Sequence, residues 1–307
     1  MKIINHLGEV EENSKIGVVI GNFDGVHIGH QNLLQSILKD CKKRNLELLV
    51  VTFVPHPLQI LSPAKHTLLN SYKDRRALLL EQGVNYLCEI DFTRDFSTLS
   101  PSEFLELFFK NAKSVKKIYL GHDFNFGANK EGGIKIIDKF CQKNKINLQQ
   151  EKEFKFKKSV VSSTVIRKTI SEGNLEQASE LLGRNFFITG NIIKGDGRGK
   201  KIGFPTANID FLHDRLVPKR GVYITQTLSS GMIYNSVTNI GFHPTFNKAE
   251  KLIIETHILD FDLDIYGEDI VVYFMKYIRE EQKFTSVNDL IKQINADITI
   301  TKEYYKQ

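Results

Sequence analysis

In the first half of the chain, the apolar positions alternate between two periods. Short apolar runs of strand length are followed by segments in which apolar residues recur every three or four positions. This alternation predicts strand–helix–strand units, and hence an α/β fold with a Rossmann-like parallel sheet. The predicted strands are residues 16–20, 46–53, 84–90 and 117–120, and the predicted helices are residues 33–41, 73–82, 134–143 and one that begins at Pro101.

The pattern changes after about residue 184. Two short helices, residues 163–171 and 174–182, precede the change, and Gly183 ends the second. Six strand-like runs then follow with no helix between them, which predicts an antiparallel β-barrel closed by a terminal helix over 287–304. The runs are residues 186–193, 206–209, 221–228, 232–240, 252–259 and 270–277, with a hairpin turn at Ser229-Ser230-Gly231. We therefore expect two domains, 1–183 and 184–307.

Composition and charge narrow the class of protein. With 41% hydrophobic and 25% charged residues, the chain is typical of a folded globular protein, and no apolar run is long enough to predict a membrane span. The net charge is +6; residues 1–183 hold 26 Lys and Arg against 21 Asp and Glu, and the remainder 16 against 15. That excess suits nucleotide ligands but is too diffuse for a nucleic-acid partner. The lack of a secretion signal and three widely separated cysteines predict a cytoplasmic protein.

The segment from Gly21 to His30, GNFDGVHIGH, is the strongest chemical signal. It lies where the first predicted strand turns into the first helix, which is where ligands bind in open α/β sheets. Its glycines let the backbone approach a ligand, and the helix N-terminus offers free N–H groups to phosphate. His27 and His30 are three residues apart, so both imidazoles project from the first helical turn and can stabilise charge on an attacked phosphate.

Two other segments end predicted strands and are expected at the same edge of the sheet. They are TFVPHP at residues 52–57 and GHDFNFG at residues 121–127. Ser163, Thr164 and Arg167 open a later helix and add two hydroxyls and a guanidinium for phosphate. The predicted phosphate-binding residues of this half are Gly21, Phe23, Asp24, Gly29, Asp123, Ser163, Thr164 and Arg167.

A second glycine-rich segment, KGDGRGKKIGFPTAN, covers residues 194–208 in the predicted barrel. Its closely spaced glycines allow successive backbone N–H groups to surround phosphates, so we expect Gly195, Gly199 and Gly203 to bind ATP. The segment matches neither the P-loop nor the dinucleotide-binding pattern. A flexible hairpin loop is the alternative that this segment by itself leaves open.

Taken together, these motifs closely resemble the bifunctional bacterial riboflavin kinase/FAD synthetase family. The resemblance runs in family order through GNFDGVHIGHQ, TFVPHP, GHDFNFG, VSSTVIR, LLGRNFFITGNIIKG, GFPTAN, GVY, NIGFHPTF, ETHILDFDLDIYGE and IREEQKF. It implies an N-terminal nucleotidyltransferase of the H-x-G-H type that makes FAD and pyrophosphate from FMN and ATP. It also implies a C-terminal barrel that phosphorylates riboflavin to FMN.

The resemblance also assigns residues. His27 and His30 would contact the phosphates of ATP, and Ser163, Thr164 and Arg167 would complete that site. Thr206 and Asn208 would hold Mg²⁺ and ATP in the kinase, and Glu255 would accept the proton of the riboflavin hydroxyl. Lys130, Lys194 and His243 stand where relatives often carry other residues, and no role is assigned to them. The expected ligands are riboflavin, FMN and ATP, with Mg²⁺ as cofactor.

Two other functions remain open from the residues. Another H-x-G-H enzyme, such as an aminoacyl-tRNA synthetase, would need a K-M-S-K-S-like loop and an RNA-binding appendage, and neither is visible. A non-enzymatic RNA-binding barrel would need cationic contacts, which the nearly neutral second half does not supply.

Overall fold

The structure is a computed structural model, and it describes residues 1–62, 66–110, 112–122, 124, 133–157, 159–212, 214–244 and 250–306. Its contacts divide the chain into two compact units, Met1–Ser163 and Thr164–Gln307. This division comes earlier than the boundary expected at residue 184. The second of the two short helices packs against strands of the barrel and is therefore grouped with it.

The first unit is built on a parallel sheet, as predicted. Its strand order over the described residues is β1-β4-β3-β2-β5-β6, and every neighbouring pair runs parallel. The strands are β1 (Lys2–Ile4), β2 (Ile16–Ile20), β3 (Glu47–Val54), β4 (Tyr86–Asp91), β5 (Val115–Leu120) and β6 (Asn147–Gln150); β7 (Lys155–Phe156) and β8 (Ser159–Val160) form a separate hairpin. The helices are α1 (Ile28–Arg44), α2 (Pro57–Leu61), α3 (Tyr72–Glu81), α4 (Pro101–Phe108) and α5 (Ile134–Asn144).

The sheet topology decides where the sequence motifs meet. Strand β2 lies between β3 and β5, and all five of its residues are buried. Parallel neighbours end at the same edge of a sheet. The segments that follow β2 and β3 therefore share one edge with Gly121 and His122, the described residues that directly follow β5.

A buried polar cluster ties α1 to β5. The Asp40 carboxylate accepts hydrogen bonds from Lys117 Nζ at 2.6 Å and from the Tyr119 hydroxyl at 2.8 Å, and Arg44 pairs with it at 3.0 Å. Burial alone would raise the pKa of Asp40, but these donors outweigh it and lower the pKa to about 2. Lys117 and Tyr119 are almost fully buried, so the charge on Asp40 is needed to balance Lys117.

We expect Asp40→Asn to destabilise the first unit in a pH-dependent way. Because the folded pKa lies below the unfolded value of about 3.9, wild-type Asp40 contributes about 2 kcal/mol above pH 5, and this is lost as the pH falls towards 2. Hydrogen exchange of the β5 amides at several pH values measures this contribution to the stability of the first unit. Asp138→Asn is the control, because that exposed carboxylate binds only Gln142 of its own helix among the hydrogen bonds observed. An Asp40→Asn deficit that persists unchanged at pH 2.5 would contradict the explanation.

The second unit is a closed barrel, as predicted, but a four-residue helix in the glycine-rich segment, Arg198–Lys201, lies between its first two strands, where no helix was expected. Its strand order over the described residues is β10-β13-β12-β11-β14-β9, and every described pair is antiparallel. The strands are β9 (Phe186–Ile193), β10 (Ala207–Asp210), β11 (Gly221–Ser229), β12 (Met232–Pro244), β13 (Glu250–Ile258) and β14 (Asp269–Arg279). The helices are α6 (Ser163–Ser171, whose first residue belongs to the first unit), α7 (Leu175–Leu182), α8 (Arg198–Lys201) and α9 (Val287–Tyr304).

The barrel interior contains hydroxyls as well as aliphatic side chains. Thr225 bonds Ser236 and Thr238 at 2.8 Å, and Thr238 bonds Thr256 at the same distance. All four are fully buried, and each hydroxyl has a partner, so the network adds no unsatisfied polar group to the core. Side chains alternate along a strand, so the residues next to these on β12 and β13 face outward.

The predicted hairpin turn is confirmed. β11 ends at Ser229 and β12 begins at Met232, and the two residues between them, Ser230 and Gly231, both have positive φ. Two consecutive residues in that region match the tight hairpin turn that the twist of antiparallel strands favours. Among the helices of the described residues, none is long and apolar enough to cross a membrane.

Candidate active sites

The turn between β2 and α1 has an unusual backbone. Phe23 and Val26 are not glycine, yet they have positive φ angles of 50° and 37°, and Gly25 has a φ of 86°. Such conformations cost on the order of 1–3 kcal/mol for a residue with a side chain, and most for a β-branched one. Phe23 and Val26 are nearly fully buried, which offsets that cost. The strain is retained at the point where the sequence predicts phosphate binding.

Two of the predicted phosphate-binding residues hold this turn in place. The Asp24 carboxylate accepts a hydrogen bond from the Leu69 backbone N–H at 3.0 Å, and the Asp24 carbonyl accepts one from the Ser163 hydroxyl at 2.9 Å. Asp24 is only 4% exposed. Asp24 and Ser163 therefore form hydrogen bonds within the chain, and in the structure they stabilise the shape of the turn.

A buried guanidinium supports the same turn from behind. The Asn22 carbonyl accepts hydrogen bonds from Arg75 Nη1 at 3.1 Å and from the Thr52 hydroxyl at 3.2 Å. Burial lowers the pKa of Arg75, and the carboxylate of Glu89, 3.2 Å away, opposes that effect. Arg75 was not predicted, since a single Arg in a helix carries no signal of what its side chain will reach.

His27 and His30 lie together, as the spacing predicted. His27 is the N-cap of α1, and its Nδ1 accepts a hydrogen bond from the His30 backbone N–H at 3.3 Å. The two rings stack with their centroids 3.7 Å apart, and Phe23 packs 5.1 Å from His30. Because Nδ1 of His27 is an acceptor here, the neutral ring carries its proton on Nε2. Two imidazoles thus stand at the positive end of a 17-residue helix, where an anion is stabilised.

A second pair of histidines follows β3. His56 is buried and is the N-cap of α2, where its Nδ1 accepts from the Leu58 backbone N–H at 3.2 Å. Its ring stacks on His66 at 4.5 Å. At the end of β5, His122 Nε2 lies 3.5 Å from a Glu153 carboxylate oxygen. The next residue, Asp123, and residues 125–132, including Lys130, lie outside the described part of the chain.

The second unit contains a cavity of about 530 Å³ on the outside of the barrel. Its wall combines polar side chains of β10, β12 and β13 with the glycine-rich segment and one side of α9. A cavity of this size accommodates a nucleotide or flavin-sized ligand. The lining includes Gly195, Gly199, Thr206, Asn208, Asn239, Glu255, His257, Arg279, Glu281, Leu290, Ile294 and Asp297.

Three polar side chains form a row across this wall. Glu255 on β13 lies opposite Asn208 on β10 and opposite Asn239 on β12. Both strand neighbours of Glu255, Ile254 and Thr256, are fully buried, so alternation directs Glu255 outward into the cavity. The carboxylate is consequently flanked by two amides rather than by apolar residues.

The glycine-rich segment lies directly against this row. A Cβ on Gly195 would meet the Asn208 amide nitrogen at 2.1 Å, and a Cβ on Gly199 would meet the Phe204 carbonyl at 2.3 Å. At Gly199 only glycine permits so close an approach to backbone, whereas a larger residue at Gly195 would displace the Asn208 side chain. Gly203 differs, since it has a φ of 89° with open space around it and does not line the cavity. The structure therefore gathers Gly195, Gly199, Thr206, Asn208 and Glu255 around one cavity, but not Gly203.

An ion pair closes the far side of the cavity. Arg279, at the end of β14, donates to both oxygens of Asp297 on α9 at 2.7–3.2 Å, and Gln293 donates to the same carboxylate at 3.0 Å. The Asp297 side chain is only 3% exposed. Asn239 donates to Glu281 at 3.3 Å. In the sequence, Asn239, Arg279 and Glu281 appear only within the family motifs and receive no role, and Gln293 and Asp297 are not singled out.

Comparisons with known proteins identify the family. A FAD synthetase family model matches residues 9–165, and a riboflavin kinase family model matches residues 182–305. The bifunctional riboflavin kinase/FMN adenylyltransferase of Escherichia coli (strain K12) is 35% identical over 99% of this chain and 98% of its own. That of Bacillus subtilis (strain 168) is 35% identical over 94% of this chain and 92% of its own. The chain belongs to the bifunctional riboflavin kinase/FMN adenylyltransferase family.

One solved structure covers both units. It is described as a macrolide-efflux protein from Streptococcus pneumoniae, is 32% identical, covers 98% of each chain and has a TM-score of 0.87. The two family models and the relatives confirm the resemblance drawn from the sequence motifs, with the FAD synthetase half first and the kinase half second. Its family membership makes the chain an enzyme with two activities, riboflavin kinase and FMN adenylyltransferase.

The roles of several individual residues stay predictions. Thr164 and Arg167 fall in the second unit, and their roles in phosphate binding stay predictions. Lys194 is exposed at the end of β9, and the side chain of His243 lies outside the described part of the chain. Gly21 and Gly29 lie in or beside the strained turn, where the sequence placed them.

Proposed function

We propose that the first unit transfers the AMP group of ATP to FMN and that the second unit phosphorylates riboflavin with ATP. The stacked His27 and His30 at the N-terminus of α1 support the first assignment. The observation that carries the second is the row of Asn208, Glu255 and Asn239 beneath the glycine-rich segment. Riboflavin, FMN and ATP are the ligands that we assign to the chain.

In the first unit, a phosphate oxygen of FMN attacks the α-phosphorus of ATP. The bond from that phosphorus to the bridging oxygen breaks, and pyrophosphate leaves. His27 is oriented to donate from Nε2, because its Nδ1 accepts the His30 backbone N–H. His30, held between His27 and Phe23, donates beside it. These donors and the helix N-terminus stabilise the negative charge that develops on the α-phosphate and on the leaving group.

In the second unit, the hydroxyl of riboflavin attacks the γ-phosphorus of ATP, and ADP leaves. Glu255 accepts the hydroxyl proton, and Asn208 and Asn239 lie opposite it on the two neighbouring strands. Phosphoryl transfer depends mainly on positioning and on neutralising charge. The backbone of Gly195 and Gly199 provides the positioning for the phosphates.

The residues of this cavity suit Mg²⁺. Thr206 and Asn208 offer a hydroxyl and an amide oxygen, which are the hard donors that Mg²⁺ prefers, and both line the cavity. A Cβ on Gly199 would lie only 3.4 Å from the Thr206 hydroxyl, so the phosphate-binding backbone and this donor are adjacent. Bound there, Mg²⁺ would neutralise charge on the phosphates of ATP. We also propose a cytoplasmic location, which the free and buried state of Cys41, Cys88 and Cys141 supports.

Incubation of the chain with riboflavin, ATP and Mg²⁺ tests the whole proposal. We expect FMN to form first and FAD to follow, with ADP and pyrophosphate as the other products, and chromatography separates the four. Hydrolysis of ATP without conversion of flavin would contradict the proposal. Retention on heparin at physiological salt, with no flavin product, would instead support an RNA-binding barrel.

The division of the chain leads to a prediction about fragments. The fragment Thr164–Gln307 keeps α7, whose Leu175, Ala178, Leu181 and Leu182 are buried within this unit. We expect it to fold and to make FMN but no FAD. The shorter fragment Arg184–Gln307 loses those contacts, so we expect it to be at least about 3 kcal/mol less stable, with a Tm lower by roughly 10 °C.

Thermal unfolding of both fragments, together with product analysis, measures these differences. Formation of FAD by either fragment would show that the kinase unit is not separate from the adenylyltransferase. Equal stability of the two fragments would mean that α7 contributes nothing to the barrel and that a boundary near 184 is adequate.

A further inference from the structure

We propose that His257 is a positioning residue of the kinase, which uses its Nδ1–H group to hold the segment that carries Thr206. This inference rests on the proposed role of Thr206 as a ligand of Mg²⁺. His257 lies on β13 two residues beyond Glu255, so both side chains are on the outer face of the barrel, and both line the cavity. No reacting group needs to touch His257 for this role.

The end of strand β10 creates the need for such a contact. The pairing between β10 and β13 runs from Ile209 to Ala207, which lies opposite Thr256, and stops there. Pro205 has no backbone N–H, so the ladder cannot continue regularly through it. Thr206 is therefore the junction between the paired strand and the glycine-rich segment, and the ladder does not hold it.

The side chain of His257 bonds the chain on the other side of that junction. His257 Nδ1 lies 2.7 Å from the Pro205 carbonyl oxygen. A carbonyl oxygen only accepts, so Nδ1 carries the proton and donates. The ring also packs edge-on against Phe204, with the centroids 5.8 Å apart. Thr206 is thus held by the strand pairing of Ala207 on one side and by His257 through Pro205 on the other.

The same segment touches the phosphate-binding backbone. A Cβ on Gly199 would meet the Phe204 carbonyl at 2.3 Å, and the Phe204 N–H donates to the Gly199 carbonyl at 2.9 Å. Release of Pro205 from His257 would consequently loosen both Thr206 and the contact between Phe204 and Gly199. The expected effect is a weaker hold on Mg²⁺, with less change in turnover once the metal is saturating, because Glu255 lies on β13 and does not depend on this bond.

Two substitutions at His257 separate the hydrogen bond from the ring. His257→Phe keeps the aromatic contact with Phe204 but removes the donor. His257→Asn loses the ring but places an amide N–H at the position of Nδ1. We expect the Phe variant to need about 10-fold more Mg²⁺ for half-maximal kinase activity, which is the upper end of what one net hydrogen bond contributes. We expect its turnover at saturating Mg²⁺ to fall less than ~3-fold and the Asn variant to recover most of the Mg²⁺ affinity.

A measurement that requires no metal tests the hydrogen bond from His257 to the Pro205 carbonyl directly. In ¹⁵N spectra of the full chain at pH 8, where an ordinary histidine is neutral, we expect His257 to carry its proton on Nδ1. The signal is assigned by its absence from the His257→Asn variant. FAD synthesis from supplied FMN reports that each variant is folded in its first unit. A proton on Nε2, or equal loss of Mg²⁺ affinity in the Phe and Asn variants, would overturn the inference.

A third variant distinguishes this inference from the proposal on which it rests. Thr206→Val keeps the shape of the side chain and removes the oxygen donor. If Thr206→Val raises the Mg²⁺ requirement and His257→Phe does not, His257 has no positioning role. If Thr206→Val leaves the Mg²⁺ requirement unchanged, the metal role of Thr206 is itself wrong.

Discussion

Glu255→Gln is expected to lower the turnover of the riboflavin kinase by ~10²–10⁴-fold, the range typical of the loss of a general base. Glutamine has nearly the shape of glutamate but negligible basicity. The substitution leaves Asn208 and Asn239, which lie opposite this position on the neighbouring strands, unchanged, so the fold and flavin binding should persist. The measurement is the rate of FMN formation at saturating riboflavin, ATP and Mg²⁺, with FAD synthesis from supplied FMN as the internal control.

The cavity offers a matched control for this substitution. Glu281 is a second carboxylate in the same wall, and it accepts a hydrogen bond from Asn239. We expect Glu281→Gln to lower turnover less than ~10-fold, because Glu281 lies outside the row that faces the glycine-rich segment. If Glu281→Gln has the larger effect, or if Glu255→Gln phosphorylates riboflavin at a near-normal rate, the proton acceptor has been assigned to the wrong carboxylate.

His30→Ala is expected to reduce FAD formation by ~10²-fold or more, the usual scale for removing one donor that stabilises a transition state. The change also removes the ring that stacks on His27 at 3.7 Å, so the His27 imidazole loses that support. FMN formation should persist, because the second unit has its own cavity and glycine-rich segment. The rates of FMN and FAD formation are measured on the same preparation.

His6→Ala controls for the removal of a histidine as such, since that side chain is 72% exposed. We expect it to change FAD formation by less than ~3-fold. A folded His30→Ala variant that loses both activities equally would be incompatible with two separate active sites.

Much of the fold follows from local sequence patterns. The predicted limits agree with β2, β9, α6 and α9 at both ends, because the apolar period of each element and the residues that flank it are local features of the sequence. Strands β1 and β6 were not predicted. β1 has three residues, and β6 is largely polar, so neither has enough apolar positions to establish a period.

The sequence also predicted the chemistry of the two candidate sites. The histidines at the start of α1 and the glycine-rich segment can be read locally, whereas Thr206, Asn208 and Glu255 received roles only from the family resemblance. Family resemblance then assigned roles to those residues, and the family models and relatives confirmed the family. The roles of the individual residues remain for the experiments above.

Tertiary structure alone decided which residues support those sites. The row of Asn208, Glu255 and Asn239 depends on the register of β10, β13 and β12, which is set when the barrel closes and not by any local period. Arg75 reaches the Asn22 carbonyl, and His257 reaches the Pro205 carbonyl, across about 50 residues of sequence in each case. In each of these bonds a side chain donates to a backbone oxygen. Because every residue has such an oxygen, the sequence does not indicate which one will accept. Local order is encoded in neighbouring residues, whereas these contacts exist only once distant strands and helices are packed together.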